Sequence, residues 1–211
     1  ISAILRENGN CVGMTNTSGV YVDDLLLKSG DASGPRSAAM ILRNPAVDAA
    51  VLETARGGIL REGLGFDTCS VGVVLNVSED HLGLKGVDTL EELAAIKAVV
   101  VSSVARKGAT VLNFDDRLTR KMARKARSKV IWFSLTATPD DPAMAVHLEA
   151  GGLAVLRATI GGRDQIMLYR GRDGLPIIAT ANIPATAVGA ASFNIANALA
   201  AVAAGTALGV D

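Results

Sequence analysis

No charge of either sign is in excess in this 211-residue sequence, because 21 Lys and Arg balance 21 Asp and Glu. Without a net field, neither nucleic acid nor an anionic membrane is an expected partner. Cysteine is scarce. Cys11 and Cys69 lie far apart, each at the start of an apolar run, so buried thiols in a reducing compartment are expected in place of a disulfide or a metal pair. Uninterrupted apolar stretches of membrane-spanning length are missing, and Ile1-Ser2-Ala3-Ile4-Leu5 has no charged leader region and no cleavage site; a cytoplasmic protein is expected. Internal repeats and low-complexity tracts are missing too, and the apolar fraction is ordinary. One domain over residues 1–211 is therefore expected, with room for an elaboration.

What is present alternates. Short β-branched runs at Cys11–Met14, Ala49–Leu52, Val71–Val77, Thr110–Leu112 and Val130–Phe133 are separated by helical patterns at Gly34–Arg43, Thr89–Arg106 and Asp116–Arg127. This is the pattern of βαβ units, so the predicted class is α/β, a mainly parallel sheet flanked by helices. Thr89 followed by Glu92 reads as a capping box, and Gly108 as a helix stop. The basic run Lys121–Lys129 reads as the solvated face of a helix. From about Ala145 to Ile183, glycine pairs punctuate apolar runs, which predicts a small antiparallel subsheet, with His147 in one of its strands. A final helix is predicted over Ser192–Leu208, capped by Ser192 and stopped by Gly209. Ile1 is not methionine, and Ile1–Glu7 already reads as helix, so the chain is expected to begin within an element.

Several residues are placed to do chemistry. Glu53 follows the strand ending at Leu52, and Asp80 and His81 follow the one ending at Val77. In parallel α/β sheets, ligands bind beyond the carboxyl ends of strands, so these groups point toward one crevice where a carboxylate and an imidazole can ligate a metal. Solvated strand-end residues have the same placement. Lys97 has Leu93, Val100, Val101 and Val104 at helical spacing around it and points inward; a lysine snorkelling at the stripe's edge has the same spacing. A buried lysine needs a partner, a lowered pKa or a covalent modification. Asn194 and Asn197, three apart, share a helix face and suit either a purine edge or a capping role. Arg56 and Arg61 flank the turn-forming pair Gly57-Gly58 in a loop of acid-binding appearance, and exposed arginines read the same way.

Taken together, these segments resemble the cyanophycin synthetase branch of the Mur-type ligases. Gly30-Asp31-Ala32-Ser33-Gly34-Pro35, then Val51-Leu52-Glu53-Thr54-Ala55-Arg56-Gly57-Gly58-Ile59-Leu60-Arg61, is similar to that branch's signature. Val73-Val74-Leu75-Asn76 with Glu79-Asp80-His81-Leu82-Gly83 resembles a strand and turn shared by Mur-type ligases. Ile96-Lys97-Ala98, Leu112–Asp116 and Phe193–Leu199 match in the same order. The resemblance covers essentially the whole chain, tightest from Gly30 to Lys97 and weakest from Pro139 to Ile183.

The resemblance implies ATP-dependent amide (isopeptide) ligation through an acyl phosphate, with arginine joined to the aspartate side chains of a poly-aspartate polymer. It implies ATP and Mg2+ as cofactors. Glu53 would hold the magnesium on the ATP phosphates; His81 would hold a second, together with Lys97 as a carbamate. All three would form the catalytic set. Asn194 and Asn197 would lie against the adenine, and Arg56 and Arg61 would face the acidic substrate. A homo-oligomeric enzyme acting on a small amino acid and an acidic peptide polymer is expected. The sequence departs from the pattern in two respects: it has no GxxGK[ST]-like phosphate loop, and Phe193 stands where many relatives have histidine. By itself the chain is therefore expected to be inactive, as one portion of a longer enzyme lacking that enzyme's ATP-grasp and carboxyl-terminal parts. The alternatives are a ligase of the folylpolyglutamate or muramyl-peptide kind, and a non-catalytic nucleotide-binding module.

Overall fold

The computed structural model describes residues 1–79, 83 and 86–210. Its strands form two sheets. In the first, β1 (Val12–Asn16), β2 (Gly19–Val22), β3 (Leu25–Ser29) and β4 (Ala49–Leu52) lie in the order β3-β2-β1-β4. Here β1 pairs parallel with β4, from Val12 opposite Ala49 to Thr15 opposite Leu52, while β2 and β3 are antiparallel additions. The hairpin between β1 and β2 is closed by the Asn16 side chain, whose oxygen accepts from the Ser18 and Gly19 amides; an Asx turn of this kind supplies the reversal. Neither β2 nor β3 is anticipated by the punctuation of the sequence, since each is short and all five residues of β3 are exposed.

The second sheet contains β5 (Cys69–Val74), β6 (Val104–Asn113), β7 (Lys129–Ser134), β8 (Leu153–Ile160), β9 (Arg163–Arg170) and β10 (Asp173–Ala179), in the order β10-β9-β8-β7-β6-β5. Strands β5 to β8 are parallel, and β8-β9-β10 is an antiparallel meander continuous with them. Alternate residues of the central strands serve two cores, as a period of two requires. Leu112, Trp132 and Leu156 pack beneath α4 (Leu90–Ser102), α5 (Arg117–Met122) and α6 (Pro142–Glu149). Val111, Ile131, Phe133 and Val155 pack against Ile195, Leu199, Ala200 and Ala203 of α7 (Ser192–Ala207). With both faces covered, such strands read as continuous apolar runs. Each fully buried side chain such as Phe133 contributes about 1.5–3 kcal/mol. The remaining helices are α1 (Ser2–Glu7), α2 (Pro35–Leu42) and α3 (Arg56–Glu62).

Several sequence expectations are corrected. Residues 145–149 lie in α6, not in a hairpin strand; Pro142 opens that helix, and its buried residues, Met144 and Leu148, sit at i and i+4. Gly57-Gly58 is no loop but part of α3. Adjacent glycines weaken the helical signal, yet a Cβ on Gly58 would come within 3.3 Å of the Gly34 Cα and the Ser33 carbonyl, so packing explains the residue. β5 ends at Val74, not Val77, and α4 ends at Ser102, not Arg106. Gly108 lies inside β6, where a Cβ would fall 2.2 Å from the Ser70 carbonyl. Lys121–Lys129 is divided among the end of α5, a 3-10 turn and the start of β7. Ala191, not Ser192, occupies the cap position of α7. The thiols of Cys11 and Cys69 are free and only partly buried. The capping box of α4 forms as expected: Thr89 Oγ1 accepts from the Glu92 amide at 3.2 Å, and Glu92 accepts from the Thr89 amide at 3.1 Å. Among the described residues, no helix is long and apolar enough to cross a membrane.

The outer strands of the two sheets, β4 and β5, face each other across a slot of about 500 Å3, lined along Asp48–Leu52 on one side and Thr68–Val73 on the other. Their carboxyl ends open into a second space, where the candidate site lies.

Candidate functional site

This second space is a cleft of about 620 Å3 between the carboxyl ends of β4 and β5, bordered by α4 and α7. Its polar lining includes Thr15, Glu53, Asn76, Lys97 and Asn197, together with Ser2, Asn16 and Thr54. Glu53 is the first residue past β4, and its amide donates to the Thr15 carbonyl at 3.0 Å, so the parallel pairing of β1 and β4 fixes its backbone. The exposed Glu53 carboxylate receives the Thr17 amide at 3.4 Å. On the opposite wall, Lys97 Nζ donates to the Asn76 carbonyl at 2.7 Å. Leu93, Ala94, Ala98 and Val101 form the buried face of α4. Lys97 lies beside that face, half-buried, with its ammonium directed to the end of β5.

Of the residues singled out from the sequence, Glu53, Lys97 and Asn197 thus line one cleft. Asp80 and His81 lie outside the described residues. Asn194 is directed elsewhere, its amide donating to the Ala185 carbonyl. Arg56 and Arg61 lie on α3, where five residues of separation turn them about 140° apart. Neither is among the cleft-lining residues. Arg61 acts on Asp31, whose carboxyl is held below the usual carboxylate range first by the Ser33 hydroxyl, then by the Ser33 amide, and more weakly by this guanidinium.

Sequence reasoning missed Thr15. Its side chain is 1 % exposed, and its hydroxyl has no hydrogen-bond partner among the described residues. A threonine in a β-strand gives no signal of that kind, because its hydroxyl is ordinarily satisfied or solvated. Among the described residues, no three His, Cys, Asp or Glu gather as a metal cage. Two oxygens of cleft-lining residues, the Glu53 carboxylate and the Asn76 carbonyl, are hard donors of the type a magnesium ion takes alongside water and phosphate.

The Mur ligase middle domain family model matches residues 1–205. The chain is 44% identical over 211 residues to the cyanophycin synthetase of Geminocystis herdmanii and 45% identical over 211 residues to that of Synechocystis sp.. Each alignment covers 100% of this chain and 24% of the relative, so the chain spans about a quarter of the length of these proteins. Among solved structures, a UDP-N-acetylmuramoyl-L-alanyl-D-glutamate–2,6-diaminopimelate ligase superposes with a TM-score of 0.67 at 20% identity, covering 100% of this chain and 40% of the other. That likeness shows the fold. A match running almost from end to end, with relatives this similar over the full chain, establishes that the chain belongs to the Mur ligase middle domain family.

Proposed function

We propose that this chain is the nucleotide-handling part of an ATP-dependent carboxylate–amine ligase that joins arginine to the aspartate side chains of a poly-aspartate polymer. The observation that carries the reading is the identity of 44% to a cyanophycin synthetase across all 211 residues, with Glu53 and Lys97 in one cleft. In the proposed reaction, a substrate carboxylate oxygen attacks the γ-phosphorus of ATP, the bond to the β-phosphate oxygen breaks, and ADP leaves. The amine nitrogen then adds to the carbonyl carbon of the acyl phosphate, loses a proton, and expels phosphate from the tetrahedral state.

Magnesium, when bound, would neutralise charge on the phosphoryl oxygens. Glu53 would hold one ion; His81 and Lys97 would hold a second, with Lys97 as a carbamate. Carbamylation turns a half-buried cation into an oxygen donor while Nζ keeps one N–H, so the donation to the Asn76 carbonyl survives the modification. Asn197, on the cleft wall, would face the nucleotide base; Asn194 is assigned to the same group through the resemblance. Arg56 and Arg61 would bind the acidic polymer from α3, beside the cleft. Without a GxxGK[ST] phosphate loop in its 211 residues, the chain is proposed not to turn over by itself. The separated thiols suit a reducing, cytoplasmic setting.

The test is phosphate release from ATP by the full-length protein, with poly-aspartate acceptor and a panel of amino acids. Arginine should stimulate release above the other amino acids. Glu53→Ala should reduce it by about a hundredfold or more, the scale on which lost charge stabilisation lowers rates. Its thermal midpoint should hold, because the Glu53 side chain is exposed. Near-normal turnover by the folded variant, or stimulation by glutamate in place of arginine, would sink the reading.

A further inference from the structure

Asn76 and Val77 share a peptide unit whose two polar ends are both engaged. Lys97 Nζ donates to the Asn76 carbonyl at 2.7 Å, and the Val77 amide donates to Asp116 Oδ2 at 2.6 Å. Because the peptide is planar and trans, its C=O and N–H point in opposite directions and turn together. Fixing the N–H therefore fixes the carbonyl. The Val77 side chain is 8% exposed and packs in the core beneath α4, so the segment that carries this peptide is anchored at its far end.

Asp116 is itself rigidly held. Its other oxygen, Oδ1, accepts from the Leu118 and Thr119 amides at 2.7 and 3.1 Å, capping α5. The preceding Asp115 accepts from Leu135 N at 2.7 Å and from the Ser134 and Thr136 hydroxyls, tying the end of β6 to that of β7. The end of β6 thus grips the segments that follow both neighbouring parallel strands. A carboxylate accepting an amide makes a charge-assisted bond, and a chain running from ammonium through peptide to carboxylate polarises each link.

We propose that Asp116 is a positioning residue that holds Lys97 in the cleft through the Asn76–Val77 peptide. Nothing in the capping of α5 requires the second oxygen to reach Val77. The geometric part of the proposal stands on these contacts; its consequence for turnover rests on the ligase reading above.

Asp116→Asn is the informative change, since asparagine caps helices as well as aspartate but loses the charged acceptor at Val77. In the full-length protein, hydrogen exchange in the peptide spanning residues 75–79 should accelerate about tenfold, the effect of losing one such bond, with residues 118–119 unchanged. Acetylation of Lys97 in carbon-dioxide-free buffer, read by mass spectrometry, should rise by a similar factor. Turnover should fall about tenfold with KM for ATP within about twofold, a split that general loosening of the fold does not produce. Asp116→Ser, which caps but cannot reach Val77, should behave alike and covers the case of a poorly folding asparagine variant. Unchanged exchange and acetylation in the folded variants would overturn the clamp. Loosened residues 75–79 with unchanged turnover would overturn its catalytic consequence. If the wild-type protein consumed no ATP under any condition, the ligase reading would fall, and exchange with acetylation would still decide whether Asp116 holds Lys97.

Discussion

Thr15→Val should make the protein more stable. Thr15 sits in β1 with parallel neighbour Leu52 and antiparallel neighbour Val20, is 1 % exposed, and has a hydroxyl without a partner among the described residues. Burying a hydroxyl without compensation costs about 1–3 kcal/mol. Valine keeps the β-branch that suits a strand and nearly the same shape, and removes the orphaned group. A gain of about 1 kcal/mol is expected, which for a chain of this size raises Tm by about 2–4 °C. Differential scanning calorimetry of the wild type, Thr15→Val and Thr15→Ser checks it. Serine keeps the orphan and loses one buried methyl, so it should cost about 0.8 kcal/mol. Loss of 1 kcal/mol or more in the valine variant would refute the reasoning, because it would mean that a bound water satisfies the hydroxyl. A second arm with Mg-ATP separates stability from use. If the hydroxyl is kept for a ligand, nucleotide should raise the midpoint of the wild type more than that of the valine variant.

Two further changes probe the framework of the cleft. Gly65 has φ of +82°, and a Cβ there would fall 2.8 Å from the Pro35 carbonyl and 2.9 Å from the Pro35 Cα. Since the left-handed backbone and the clash with main chain add, Gly65→Ala should lose about 2 kcal/mol or more, seen as a fall in urea midpoint with unchanged m-value. Glu92 has its carboxyl lowered below the usual range by accepting first the Asp88 amide, then the Thr89 amide and the Thr89 hydroxyl. A lowered folded-state value contributes stability that is complete above the ordinary carboxylate range and disappears as pH falls through the folded value. Over about pH 5 to 3, Glu92→Gln should therefore lose less stability than wild type in acid titration of the unfolding midpoint; parallel curves would contradict the capping role.

The parallel sheet is legible because its strands are buried on both faces: Val111 and Leu112, or Ile131, Trp132 and Phe133, are consecutive apolar residues that alternate between the two cores. Where only one face or neither is covered, the signal fades. β3 exposes all of its residues, so Leu25-Leu26-Leu27 carries no alternation to read. Residues 145–149 satisfy a strand pattern and a helix pattern equally, and only Pro142 at the first helical turn, together with the Met144–Leu148 spacing, decides for the helix. Gly58 and Gly108 illustrate the opposite error. Both read as punctuation, and both are glycine because a neighbouring backbone lies within 3.3 Å or less of where a Cβ would stand.

At the site, legibility follows the distance between a residue and the element that makes it useful. Glu53 was reachable because a carboxylate directly after an apolar strand lies at the mouth of a parallel sheet. Lys97 was reachable because the helix around it is apolar, and its placement beside the buried face of α4 comes from that spacing. The reason it stays there is not local. Its partner, the Asn76 carbonyl, belongs to a peptide whose other end is held by Asp116, 39 positions further along the chain. Such a relay leaves no periodic trace, since a carbonyl and an amide are present at nearly every residue and only the tertiary arrangement selects this pair. Asp116 likewise reads locally as an ordinary helix cap, and that reading is correct for one of its two oxygens. The second oxygen links the cap to the cleft, so one side chain serves both the helix start and the peptide that receives the lysine. That coupling gives physical content to the match of the Leu112–Asp116 segment. Another good capping residue in place of Asp116 would keep the start of α5 but lose the charged acceptor for the Val77 amide, and with it the hold on the peptide on which Lys97 rests.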